Sequence, residues 1–203
     1  LEFDFTRGTA GWQAVDDMRL QMAEDGLTTV LSNASGLVLG PPLRLNAEEK
    51  SCVSLRLAAT SGRHATLLFA AEQTAGLHGL SFPIHTNGAE HTYHLDLLAA
   101  GGWKGRIIAL GLGTSEPAGT TYRLRGLRVS DTPQGPPQLE VQAFLVEDAL
   151  PRVGVPVTLS ARVANTGGAL ASNLHAALAL PEGIRILSSS PTQARLGSLG
   201  FGE

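Results

Sequence analysis

The chain holds a single cysteine, Cys52, in 203 residues. No internal disulfide can form, and a zinc site built from cysteines is excluded. Cys52 stands between Ser51 and Val53 at the entry to an apolar run, where a small buried hydrophobe is expected rather than a reactive thiol. Aromatic residues supply only 5% of the chain, too few for a broad stacking platform against crystalline polysaccharide. Charge is also sparse: 15 Lys and Arg against 18 Asp and Glu leave a net −3, with the basic residues scattered. Without a basic stripe to neutralise phosphates, nucleic acid is excluded as a partner, and so is a polybasic membrane-surface anchor. No apolar run approaches the length that spans a bilayer, so no membrane insertion is expected. The chain opens on Leu1 rather than Met, and upstream processing is the expectation.

Glycine (24) and proline (11) are plentiful, a composition that favours strands and turns over long helices. Period-two alternation follows. Val53, Leu55 and Leu57 share one face against Ser54 and Arg56. Ala65, Leu67 and Phe69 repeat the pattern, as do Leu80, Phe82 and Ile84, where Pro83 assigns the strand to an edge. Asn87-Gly88 reads as a hairpin turn, since both residues accept positive φ. Tyr93, Leu95 and Leu97 then point inward and Thr92, His94 and Asp96 outward; Ile108, Leu110 and Leu112 form a further strand before the turn at residues 115–119. The strand from Tyr122 to Val129 changes parity at Arg125-Gly126, and a glycine-containing β-bulge would keep Tyr122, Leu124, Leu127 and Val129 all on the core side. Phe3 and Phe5 alternate about Asp4, Thr28 with Val30 and Leu37 to Leu39 suggest two short strands, and the one plausible helix lies at Val15 to Glu24.

A Pro-rich stretch within Ser130 to Gln138 marks a boundary. We divide the chain into a domain over 1–131, a linker over 132–138 and a second domain over 139–203. In the second, Leu139, Val141, Ala143 and Leu145 alternate, and the most regular pattern of the chain places Val155, Val157, Leu159, Ala161 and Val163 inward. Leu174, Ala176, Leu178 and Leu180 follow, before a turn at Pro181-Glu182-Gly183. This domain holds about two-thirds of the roughly 100 residues of an immunoglobulin-like sandwich, so further strands are expected beyond Glu203.

Three segments carry a resemblance. Phe3 to Trp12, Tyr93 to Leu97 with Trp103 to Leu110, and Tyr122 to Asp131 resemble the opening, late and closing strands of galactose-binding-domain-like jelly rolls. Val157 to Gly167 with Ala177 to Gly183 is similar to bacterial immunoglobulin-like modules. The fold class implied is all-β: a jelly-roll β-sandwich followed by a second, incomplete, immunoglobulin-like β-sandwich. Such modules accompany carbohydrate-active enzymes and surface proteins. The resemblance therefore implies a non-catalytic accessory region of an exported bacterial protein, extracellular, at the cell surface or periplasmic. Its expected partners are a glycan and the parent protein's other domains. Where related modules carry a charged or aromatic residue, this chain has Gly111-Leu112-Gly113.

A glycan site needs aromatic faces for C–H patches and polar groups for hydroxyls. Tyr93 and Tyr122 fall on inward parity, and Trp103, after Gly101-Gly102, reads as structural. Trp12 in its glycine-led loop and the row Thr92, His94 and Asp96 remain as the carbohydrate-binding candidates, against the competing readings of a core lid and an ordinary solvated strand face. His78, His85, His91 and His94 fall within seventeen residues, yet His91 and His94 point to opposite faces of a strand, so no metal and no cofactor is expected. Asp4 and Asp131 alone do not gather the ligands calcium requires. No nucleophile elbow or phosphate loop is present, and Asp16-Asp17 and Glu48-Glu49 read as solvated turns. The chain is expected not to be an enzyme. A structural or adhesive spacer is the alternative, and a hydrolase with an unrecognised carboxylate pair is a distant third.

Overall fold

The computed structural model of the protein describes residues 1–114, 116–147, 150, 152–180, 182–183, 185 and 193–203 and is all-β. Ser115 and Pro181, at two of the expected turns, lie outside the described residues. Two compact units emerge, Leu1–Gln134 and Gly135–Glu203. No helix of the described residues is long and apolar enough to cross a membrane.

In the first unit the strands are β1 (Glu2–Asp4), β2 (Gln13–Ala23), β3 (Gly26–Leu39), β4 (Leu45–Asn46), β5 (Cys52–Ala59), β6 (His64–Ala71), β7 (His78–Pro83), β8 (Glu90–Asp96), β9 (Arg106–Thr114) and β10 (Thr121–Ser130). A 3-10 turn, Leu97–Ala99, follows β8. One antiparallel sheet runs β7-β6-β9-β3-β10-β5-β8, with β1 added on β10, β2 on β3 and β4 on β9. Strand β3 belongs to both halves of this sheet. Its Leu27–Val30 part pairs with β10 and its Gly36–Leu39 part with β9. The sheet curls around that shared strand until its ends meet: Phe82 on β7 and Tyr93 on β8, at opposite ends of the order, have ring centroids 5.3 Å apart. Between the halves lies one apolar core that includes Leu27, Leu55, Leu57, Leu67, Phe69 and Leu110. Burying each such side chain contributes about 1.5–3 kcal/mol.

The parity change in β10 is a bulge. Its register against β5 shifts between Leu124 and Gly126, and Tyr122, Leu124, Leu127 and Val129 are all buried. Four other expectations are corrected. Val15 to Glu24 is not helical: Val15 to Ala23 falls in β2, because eight of these residues find antiparallel partners on β3 and ladder pairing outweighs a weak helical period. The two short strands expected at Thr28 to Leu39 are one, β3. Ile108 faces solvent, since the β6–β9 register shift that opposes Ala71 to Ile107 leaves it out of the alternation. Asn87-Gly88 does not close a hairpin: β7 pairs with β6 and β8 with β5, so this turn carries the chain from one end of the sheet to the other.

At the tip of the β2–β3 hairpin, Gly26 has φ +151°, and a Cβ placed there would stand 2.5 Å from the Leu124 carbonyl oxygen. That backbone atom is held in the β10–β3 ladder and cannot yield. Gly26→Ala is expected to destabilise the first unit by about 2–3 kcal/mol, measurable by urea denaturation; an unchanged midpoint would contradict this close approach.

The second unit pairs β11 (Leu139–Val146) with β12 (Leu159–Asn165) and β13 (Ala171–Ala177) with β14 (Gln193–Leu199). The inward row expected from Val155 is not realised. Strand β12 starts only at Leu159, Val155 and Val157 are exposed, and on β11 Val141 and Phe144 are 62% and 56% exposed. Apolar burial is thin, and polar bonding at Asn165 ties the unit together. This side chain is fully buried. Its Oδ1 accepts from the Gln138 and Gly167 backbone N–H groups at 3.1 and 3.0 Å. Its Nδ2 donates to the Ala169 and Leu199 carbonyls at 2.7 and 3.0 Å.

Candidate functional site

The outward face of β3, β10, β5 and β8 carries the polar chemistry of the first unit. Period-two alternation leaves Ser54, Arg56 and Ala58 of β5 opposite His94, Thr92 and Glu90 of β8, and Ala58 opposite Arg123 of β10. A depression of about 140 Å³ opens here, lined by Ala23, Thr28, Ala58, Thr60, Gly88, Thr121 and Arg123. A second hollow beside it shares Ala58 and Arg123. Small side chains form the floor, so the backbone of the sheet is approached closely, and threonine hydroxyls and a guanidinium supply the hydrogen-bonding groups.

An ion-pair cluster fixes one wall. Asp25, on the β2–β3 turn, accepts through Oδ2 from Arg123 Nη1 at 2.5 Å and Arg125 Nη2 at 3.1 Å, and Arg125 Nε pairs with Glu90 Oε2 at 2.9 Å. The Arg125 hydrogen bond and, after it, the nearby Arg123 charge hold the Asp25 carboxyl below the usual carboxylate range. All four side chains are about one-third exposed, so the cluster orients the guanidiniums more than it stabilises the fold.

The candidates named from sequence separate here. Thr92, His94 and Asp96 stand on this same outward face, in line with Glu90. His94 Nδ1 lies 3.1 Å from Ser54 Oγ, and Asp96 Oδ1 accepts from the Leu98 N–H at 2.9 Å to cap the 3-10 turn. Trp12 is a correction: it is 2% exposed, edge-on to Phe3 and Phe5 with centroids at 5.5 and 5.4 Å, and offers no ring face to a ligand. The loop that contains it folds inward because the two phenylalanines alternate onto the same core. Trp103 is buried too, its Nε1 donating to the Ala47 and Lys50 carbonyls, both at 3.1 Å. Gly111 and Gly113 leave no room for a functional side chain: a Cβ would meet the Val38 carbonyl oxygen at 2.8 Å and Leu68 Cδ1 at 2.8 Å.

Sequence reasoning missed Arg123, Arg125, Asp25 and the threonines. Thr28 lies on β3, Thr121, Arg123 and Arg125 on β10, Asp25 on the turn before β3 and Thr60 just after β5, and only the sheet order β3-β10-β5 brings them to one face. It also missed the approach of His85 to His91, whose ring centroids are 4.4 Å apart. Among the described residues no group of three or more His, Cys, Asp or Glu side chains is placed to hold a metal.

Burial lowers the affinity of His94 for a proton, and burial followed by the adjacent His85 does the same for His91. Above the ordinary imidazole value near 6.5 both states of each group are neutral and stability is complete. As pH falls below that value the unfolded chain takes up protons that the folded protein resists, so stability declines. The melting temperature is expected to drop between about pH 6.5 and 5, and His94→Gln to flatten that drop; a flat wild-type profile would refute the assignment.

No family model matches the chain, and no curated protein does. Solved structures similar to it include carbohydrate-binding modules. The C-terminal CBM6 of LamC, a marine laminarinase from Zobellia galactanivorans, is 11% identical, covering 64% of this chain and 98% of that one at a TM-score of 0.44. The CBM1 of BiXyn10A in its apo form is 10% identical over 64% of this chain and 96% of that one, TM-score 0.48. CBM29_1 from Piromyces equi, a family 29 carbohydrate-binding module, is 9% identical over 60% of this chain and 81% of that one, TM-score 0.44.

Proposed function

We propose that the first unit is a non-catalytic carbohydrate-binding accessory module of the galactose-binding-like kind, and that it holds its glycan over Ala58. The second unit is read as an immunoglobulin-like module of the same exported bacterial protein, which acts outside the cytoplasm and in which any glycoside-active domain is a separate part. The observation that carries this reading is the open depression where Thr28, Thr60, Thr121 and Arg123 surround a small floor. Hydroxyls and a planar guanidinium match the donors and acceptors of a sugar ring. Thr92 extends the same face along β8 and offers its hydroxyl to a second sugar residue, whereas His94 is held in by Ser54.

The test is a glycan-array screen of the whole chain, repeated with Arg123→Ala. Binding that falls at least tenfold in the variant, with its melting temperature kept within a few degrees, supports the site. Binding that survives the substitution places the glycan elsewhere. The second reading, a structural or adhesive spacer, is favoured by one observation: Trp12, Trp103 and Tyr122 are all buried, and no aromatic ring lines the depression. A blank array would turn the assignment to the spacer.

A further inference from the structure

The two adjoining hollows on the outward face balance their charges. Arg123 and Arg125 are the cations among their lining residues, and Asp25 and Glu90 are the anions. Arg123 is the one charged side chain that lines the larger depression. How fully its charge is compensated therefore sets the potential that a ligand meets there.

Asp25 supplies that compensation. Its Oδ2 accepts from Arg123 Nη1 at 2.5 Å and from Arg125 Nη2 at 3.1 Å, while Glu90 Oε2 takes Arg125 Nε at 2.9 Å. The fold delivers the carboxylate to both guanidiniums. Asp25 stands at the tip of the β2–β3 hairpin beside Gly26, whose α-carbon lies so close to β10 that a Cβ on it would be 2.5 Å from the Leu124 carbonyl oxygen. Leu124 is the residue between Arg123 and Arg125, so the hairpin tip rests where the two arginines flank it. The arginine contacts also keep the Asp25 carboxyl below the usual carboxylate range, and it stays ionised at neutral pH.

A guanidinium carries five N–H donors, more than one carboxylate oxygen uses, so Arg123 can still donate to sugar hydroxyls. An incoming carboxylate is treated differently. It meets Asp25 and Glu90 together with the arginines, and the like charges offset the attraction. With no aromatic ring among the lining residues, ring stacking contributes nothing to selection, and charge becomes the main discriminator. We propose that Asp25 is the specificity-determining residue of this depression, closing it to uronates and other acidic sugars and reserving it for neutral ones. The inference rests on the glycan-binding reading of the same face. Asp25→Asn keeps an oxygen acceptor at the hairpin tip but leaves one positive charge uncompensated among the lining residues.

The experiment titrates the whole chain and Asp25→Asn with matched oligosaccharides that differ at C6: galactose with galacturonate, glucose with glucuronate, mannose with mannuronate. Each pair is measured at low and high salt. The wild-type chain is expected to bind the neutral member of a pair about tenfold tighter or more. Asp25→Asn should narrow or reverse that preference by roughly tenfold, an effect that high salt erodes, and neutral binding that persists shows the variant to be folded. Glu48→Gln, at an exposed carboxylate on the turn between β4 and β5, should change nothing. Equal or tighter binding of the uronate by the wild-type chain, or a preference that Asp25→Asn leaves unaltered, would overturn the inference while the glycan site stands. No binding to either member of any pair would instead reject the glycan reading, and this inference with it.

Discussion

Asn165→Ala is expected to abolish the cooperative fold of the second unit and leave the first unit's transition in place. The substitution removes the partner of two backbone N–H groups and two carbonyls, at Gln138, Gly167, Ala169 and Leu199. Leaving such groups unsatisfied costs about 1–3 kcal/mol each where water cannot reach them, so the total is on the order of 3 kcal/mol or more. The apolar contribution has little in reserve, because β11 buries so little of its side-chain surface. A neighbouring residue shows how tightly the knot closes: a Cβ on Gly167 would fall 2.2 Å from the Gln138 nitrogen and 2.3 Å from the Pro136 carbonyl oxygen. Asn165→Asp separates the two halves of the role. It keeps the acceptor for Gln138 and Gly167 but turns a carboxylate oxygen toward the Ala169 and Leu199 carbonyls. The new carboxyl group would resist ionisation, so the damage is full at neutral pH and partly relieved in acid, where a proton restores one donor. Amide exchange across Leu159–Asn165 reads the outcome. Protection unchanged in both variants would show that the unit does not depend on this side chain.

Trp12→Ala is expected to destabilise the first unit by about 3–5 kcal/mol, the usual cost of emptying a large aromatic site. Phe3, Phe5 and the Gly40 backbone pack on the indole: a Cβ at Gly40 would lie 3.0 Å from its ring. The indole Nε1 has no hydrogen-bond partner among the described residues. Trp12→Phe therefore loses volume but no hydrogen bond, and should cost about 1–2 kcal/mol. Trp103→Phe is the contrast, since the Ala47 and Lys50 carbonyls both lose their donor, adding roughly 1–2 kcal/mol to the volume effect. Guanidinium unfolding of the three variants tests the ranking; an equal cost for the two phenylalanine substitutions would refute the difference in bonding. A functional consequence follows. Loss of glycan binding on Trp12→Ala would report unfolding rather than a lost contact, whereas Arg123→Ala probes the outward face without opening the core.

The strands whose two faces differ were legible from residue order. Val53, Leu55 and Leu57, or Ala65, Leu67 and Phe69, carry their burial in a period of two, and the bulge at Arg125-Gly126 was visible because one extra residue flips that period. Period fails where pairing decides. Strand β2 has solvent on much of its surface, so its residues show little alternation, and only the ladder with β3 makes it a strand. The regular run from Val155 to Val163 failed for the opposite reason: alternation states which side chains could share a face, but burial needs a second layer, and in the second unit little covers that face.

The same division holds for the candidate site. Residue order assigned Thr92, His94 and Asp96 to the outward side of β8, and the structure places them there. The opposite outcome for Trp12 was decided by packing, because a loop tryptophan has no period and its exposure depends on whether the core beneath has room for it. Arg123, Asp25 and Glu90 are separated by long stretches of chain, and His85 meets His91 only because the turn between them crosses from one end of the sheet to the other. Local chemistry along the chain thus settles which way a strand's side chains point. Which strands become neighbours, and therefore which outward groups converge on one surface, depends on long-range pairing energies that no short window of sequence contains.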